Sequence, residues 1–67
     1  MLKLTARERE VLRLLAAGLT YAQMAHALGI SLHTIGTHIK NVYRKLDVHN
    51  APAAVSRAFA TGATHEN

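Results

Sequence analysis

The chain has 67 residues, with eight Lys+Arg against four Asp+Glu, five histidines and no cysteine, for a formal net charge of +4. That length makes one small domain, which buries only about 60% of the surface its unfolded chain exposes. Without cysteine, neither a disulfide nor a thiolate metal centre can reinforce it. At 49% apolar it is too hydrophobic for intrinsic disorder, and its apolar runs are too short for a transmembrane helix or a signal peptide. One proline, four glycines and 4% aromatic residues disfavour an all-β fold. The expectation is a compact all-α domain of four helices, located in the cytoplasm, whose positive excess favours an anionic partner, nucleic acid or a membrane surface.

In chain order, Thr5 and Glu8 stand at capping-box spacing with Leu4 as a staple, so a first helix is predicted at about 6–17. Val11, Leu14 and Leu15 form its inner face, Arg7, Arg9, Glu10 and Arg13 its outer one, and Gly18 its left-handed stop. Thr20 and Gln23 make a second capping box for a short helix at 21–28, with Met24, Ala25 and Leu28 apolar and Gly29 ending it. Ser31 caps a third helix at 32–46, whose stripe of Ile35, Ile39, Val42 and Leu46 has helical spacing. A fourth helix at 51–61 begins after Asn50 and tolerates Pro52 in its first turn. It is expected to turn Ala54, Val55, Ala58 and Phe59 inward, with Gly62 closing it and 63–67 forming a flexible tail.

Residues 19–38 carry the most specific pattern. Helices two and three are separated only by Gly29, Ile30 and Ser31, the connection of a helix-turn-helix. Ala25 is small where the helices approach, Gly29 four residues later permits a left-handed turn, and Ile35 six further on inserts between the helices. An ordinary helical hairpin with a glycine turn is the plainer alternative. On helix three, His33, Thr37, Lys40, Asn41 and Arg44 cluster opposite the apolar stripe, with no carboxylate among them, as suits a helix in the DNA major groove. A merely solvated face would more often include Asp or Glu.

With these residues in place, the chain resembles the LuxR-type (NarL/FixJ-like) DNA-binding domain of bacterial transcription regulators over residues 4–59. The resemblance rests on Leu-Thr-x-Arg-Glu-x-Glu-Val-Leu at 4–12, Gly-Leu-Thr at 18–20 and Met24-Ala25. It continues through Leu-Gly-Ile-Ser at 28–31, Thr-Ile at 34–35, His38 and Lys-Leu at 45–46. It implies helix three in the major groove, a homodimer formed largely through helix four, and a longer protein whose N-terminal regulatory domain receives phosphate, a small molecule or another signal. It also places Thr37 and Lys40 at base-reading positions, which His33 and Asn41 flank. Thr20, Tyr21, Ser31 and Thr34 fall at helix N-termini that hold phosphates. Arg44 and Lys45 are expected to add backbone contacts, although Lys45 can instead pair with Glu8. His38 is implied to be partly buried, fixing helix three. The family's usual lysines are missing at Gly36 and Ala22, and its frequent arginine at Ala51.

The stretch Gly-Leu-Thr-Tyr-Ala-Gln-Met-Ala is also similar to sigma-factor region 4, which keeps a promoter-recognition domain as an alternative, beside a protein-interaction module on the same scaffold. In helix four, Ala53, Ala54, Ala58 and Ala60, with Arg57, offer a small-residue surface for a twofold copy; the plainer reading is that alanines are good helix formers. His26, His33, His38, His49 and His65 include no pair at helical ligand spacing, so no metal site or other cofactor is expected. Glu8 and Glu10 are expected as surface ion pairs, and neither catalytic chemistry nor a phosphate loop is foreseen. The predicted layout is a DNA-binding domain over 1–62 with no membrane segment, acting on double-stranded DNA in the bacterial nucleoid. Between Leu14 and Ile39 there is no Asp, Glu, Lys or Arg, which limits the expected affinity. About three cations per protomer would still give a dimer a log–log salt slope of roughly −5.

Overall fold

The computed structural model describes residues 3–61, which form four helices: α1 Ala6–Ala16, α2 Tyr21–Leu28, α3 Leu32–Leu46 and α4 Ala51–Thr61. Gly62 and the tail at 63–67 lie outside the described residues.

Each helix begins on a side chain that replaces missing intrahelical acceptors. Thr5 Oγ1 accepts the Glu8 N–H at 3.1 Å while the Thr5 N–H donates to Glu8 Oε1 at 2.8 Å. Thr20 and Gln23 repeat this reciprocal arrangement at the same distances. Ser31 Oγ accepts from the Thr34 N–H, and Asn50 Oδ1 from that of Ala53. Caps of this kind stabilise a helix by about 1 kcal/mol each.

The first three helices also stop alike. Gly18, Gly29 and Asp47 have positive φ, and the next residue donates its N–H five residues back: Leu19 to Leu14, Ile30 to Ala25, Val48 to Tyr43. This is the Schellman arrangement, which returns an apolar side chain to the helix just ended. Val48 is buried, and Leu19 and Ile30 pack against the core.

Helix α3 packs against the other three, and α1 does the same, so α2 and α4 flank a central pair. The core has two parts. Val11, Met24, Ile35 and Ile39 close the space between α1, α2 and the first half of α3. Leu4, Leu12, Val42, Leu46, Val48, Ala54 and Ala58 close that between α1, the second half of α3 and α4. Leu15 and Tyr43 touch both.

Three expectations change here. Phe59 does not turn inward; it is 62% exposed, because Ala54 and Ala58 occupy the inner face of α4. Those two alanines have no exposed surface, so the expected small-residue face splits: Ala54 and Ala58 belong to the protomer's own core, while Ala60 is exposed and Ala53 half-buried. Glu8 is not a surface pair but 4% exposed, the one buried charged residue among those described.

Candidate nucleic-acid interface

The turn between α2 and α3 is what sets the site. Gly29, at φ 66° and ψ 33°, takes the left-handed conformation at no steric cost. Ile35 is then fully buried against Met24 and Val11, with Ala25 and Leu28 partly buried beside it. Burying Ile35, Ile39, Val42 and Leu46 fixes the rotation of α3. The opposite side consequently meets solvent: His33, Thr37, Lys40 and Arg44 are exposed, and Asn41 is half-buried.

The exposed stripe is not uniformly available. Lys40 makes no hydrogen bond or ion pair among the described residues and is the unencumbered cation of the stripe. Arg44 Nη2 donates to Asn41 Oδ1 at 3.3 Å, so two of the expected contact residues hold each other. Thr37 Oγ1 donates back to the His33 carbonyl at 3.3 Å, leaving that hydroxyl its acceptor capacity. At the helix N-termini, Thr20 and Ser31 are exposed and Thr34 half-buried, their hydroxyls engaged in caps or, for Ser31 and Thr34, with each other at 2.9 Å. The N-termini remain electropositive ends of peptide dipoles.

Lys45 leaves the set. Its Nζ donates to Glu8 Oε1 at 2.7 Å and to the Lys3 carbonyl at 3.3 Å, joining α3 to α1 away from the exposed stripe. Burial pushes the Glu8 carboxyl up, but the Lys45 hydrogen bond, the Thr5 hydrogen bonds and the Lys45 charge outweigh it and hold the pKa below the usual carboxylate value. Arg57 is likewise tied inward, donating to the Leu46 carbonyl at 3.0 Å, where a cation complements the C-terminal end of α3.

Two features were not legible in the sequence. Tyr43 is half-buried with its phenol near that of the exposed Tyr21, where the start of α2 meets the middle of α3. Burial first, then interaction with the neighbouring Tyr21 phenol, pushes the Tyr43 hydroxyl up to about 12. His49, in the loop after α3, comes beside Lys40 and Arg44 along an open groove at the end of the stripe. Only the fold brings residues 21 and 43 together, and only the turn at Asp47 swings His49 back. His38 is half-buried, as the resemblance implied. Among the described residues no cluster of His, Asp or Glu is placed to hold a metal ion, and no helix is long and apolar enough to cross a membrane.

Two capped helices joined by a left-handed glycine, with a carboxylate-free exposed stripe on the second, define a helix-turn-helix domain of the transcription-regulator type. The chain belongs to the luxR family of bacterial regulatory proteins, whose family model matches residues 2–58. That family is one of regulators rather than enzymes. The probable transcriptional regulatory protein SgaR of Hyphomicrobium methylovorum is 53% identical over 53 residues, covering 79% of this chain and 25% of that protein. The crystal structure of the response regulator ChrA of a heme-sensing two-component system superposes with a TM-score of 0.90 at 40% identity, over 94% of this chain and 31% of that one. The VqmA–ligand–DNA complex of Vibrio cholera gives 0.86 at 31% identity, over 100% of this chain and 29% of that one. The chain thus spans between a quarter and a third of the length of these proteins.

Proposed function

We propose that this domain binds double-stranded DNA sequence-specifically, with α3 in the major groove, as the output part of a bacterial transcription regulator acting in the cytoplasm on the nucleoid. The observation that carries the reading is the exposed stripe of α3, where His33, Thr37, Lys40, Asn41 and Arg44 follow one another without a carboxylate. His33, Thr37, Lys40 and Asn41 face base edges; Thr20, Tyr21, Ser31, Thr34 and Arg44 serve the phosphates. The solution of a neighbour of the same fold in a complex with DNA supports DNA as the partner. Likeness to a response regulator of which this chain covers 31% supports an N-terminal regulatory domain in the complete protein.

The domain acts as a homodimer through the outer side of α4. Pro52, Ser56, Phe59 and Ala60 are exposed there and none carries charge, so a twofold copy meets an uncharged surface with one large anchor. Ala54 and Ala58 contribute by seating α4 on the core rather than by touching the copy.

Salt dependence tests the reading. With Lys45 held by Glu8, Lys40 and Arg44 remain on the stripe, and a dimer bringing these four cations against the DNA, Lys40 in the groove and Arg44 on phosphate, gives a log–log slope near −4, shallower than composition suggests. Gel-shift titrations of duplex DNA across a salt series should return that slope, and Arg44→Ala should flatten it by about 2. Absent or salt-independent binding would reject it in favour of a protein-interaction module.

A further inference from the structure

The first half of α3 breaks two local rules side by side. Leu32, the first helical residue, is 56% exposed, so the structure gains little from an apolar side chain there. One turn on, Gly36 stands inside the helix with a negative φ and nothing within 4 Å of an added Cβ. A helical glycine costs about 1 kcal/mol relative to alanine, and here no close packing, turn or backbone conformation requires it. One turn further, Lys40 is exposed and makes no hydrogen bond or ion pair among the described residues. Residues four apart are neighbours on a helix surface, so these three line one ridge: an exposed isobutyl group, a gap down to the backbone, and a cation. Local rules broken without a structural return concentrate at functional sites.

We propose that this ridge is a thymine selector, in which the 5-methyl group of one thymine per half-site seats in the gap over Gly36 against the Leu32 side chain. The inference rests on the major-groove reading above. The major groove exposes the thymine methyl, which no other base presents and which apolar side chains read by contact. The N-terminal residues of a recognition helix are the ones that reach base edges. Only a residue without a side chain at 36 lets the base edge approach the helix between its neighbours, and only an apolar one at 32 gains from a methyl group. Lys40 bounds the gap and holds the helix against the DNA at its other end.

The test begins with duplexes selected by the 67-residue protein from a randomised pool. Each thymine is then replaced in turn by deoxyuridine, which removes the 5-methyl and leaves the base pair intact. One position per half-site should lose about fourfold in affinity, the equivalent of one buried methyl group at about 0.8 kcal/mol. That sensitivity should largely vanish in Leu32→Ala, in Leu32→Gln and in Gly36→Leu, which fills the gap. Position 32 is exposed, so the two Leu32 variants should melt as the parent does. Indifference to deoxyuridine at every position, or undiminished sensitivity in the variants, overturns the selector while leaving DNA binding intact. Failure to enrich any duplex, or a binding free of salt dependence, overturns the DNA reading itself and the selector with it.

Discussion

Asp47 is the one non-glycine residue with positive φ among those described, at φ 57° and ψ 52° as α3 ends. A side chain in that conformation costs about 1 to 2 kcal/mol, less for Asp and Asn, whose short polar groups tolerate it. Asp47→Gly should therefore raise stability by up to about 1 kcal/mol in urea denaturation, and Asp47→Val should lower it by more. Gly36 presents the opposite case, since its backbone is helical and its surroundings open. Gly36→Ala is expected to add up to about 1 kcal/mol in the same measurement. Gly36→Lys adds a cation beside Lys40 and fills the gap over the backbone at once, so in gel shifts it should steepen the salt dependence of duplex binding while losing the sensitivity to deoxyuridine; an unchanged salt slope would argue that α3 does not dock as proposed. Gly18, Gly29 and the capping pairs were all readable in advance from residue type and spacing. Asp47 was not, since its left-handed turn follows from Val48 being drawn into the core, a tertiary requirement.

At the scale of elements, α1 and α3 are joined by a buried polar contact. Glu8 serves the Thr5 cap and the Lys45 ion pair at once, with side-chain exposures of 6% for Glu8 and 16% for Lys45. Losing one partner of a buried pair leaves the other unbalanced. Glu8→Ala is expected to cost about 2 to 3 kcal/mol, below the fully buried range because Lys45 can swing to solvent. Lys45→Ala should cost at least as much, since the carboxylate cannot leave. The native Glu8 carboxyl lies below its ordinary value of 4.5, so its contribution is complete above that pH. It is lost as pH falls through the native value, and Glu8→Gln should melt with less dependence on pH in that acid range. The sequence allowed for the Lys45–Glu8 pair but could not choose between it and a phosphate contact, because residues 8 and 45 meet only when α1 packs on α3.

At the scale of the molecule, α4 divides its alanines between two duties. Ala54 and Ala58 are sealed in the core, whereas Phe59 stands 62% exposed beside Ser56 and Ala60. Were α4 the dimer face, Phe59→Asp would place two desolvated charges at the twofold axis. It should abolish the dimer in sedimentation equilibrium and weaken DNA binding, while the melting temperature of the dilute protein stays the same. A parent chain that remains monomeric at high concentration and binds DNA as one copy would reject the dimer.

Four helices, the N-caps and glycine stops of the first three, apart from the stop at Asp47, and the helix-turn-helix were determined by the sequence alone, because they depend on local chemistry: a hydroxyl before a helix, a glycine after it, apolar residues three and four apart. The outward stripe of α3 followed from the same periodicity. Tertiary structure alone decided which polar side chains on the molecule remain available to a partner. Lys45 and Arg57 are spent on holding helices together, and Ala54 and Ala58 on the core. A charge or a small residue has no address in the sequence until packing supplies its neighbour, and in a core this small nearly every neighbour comes from another helix.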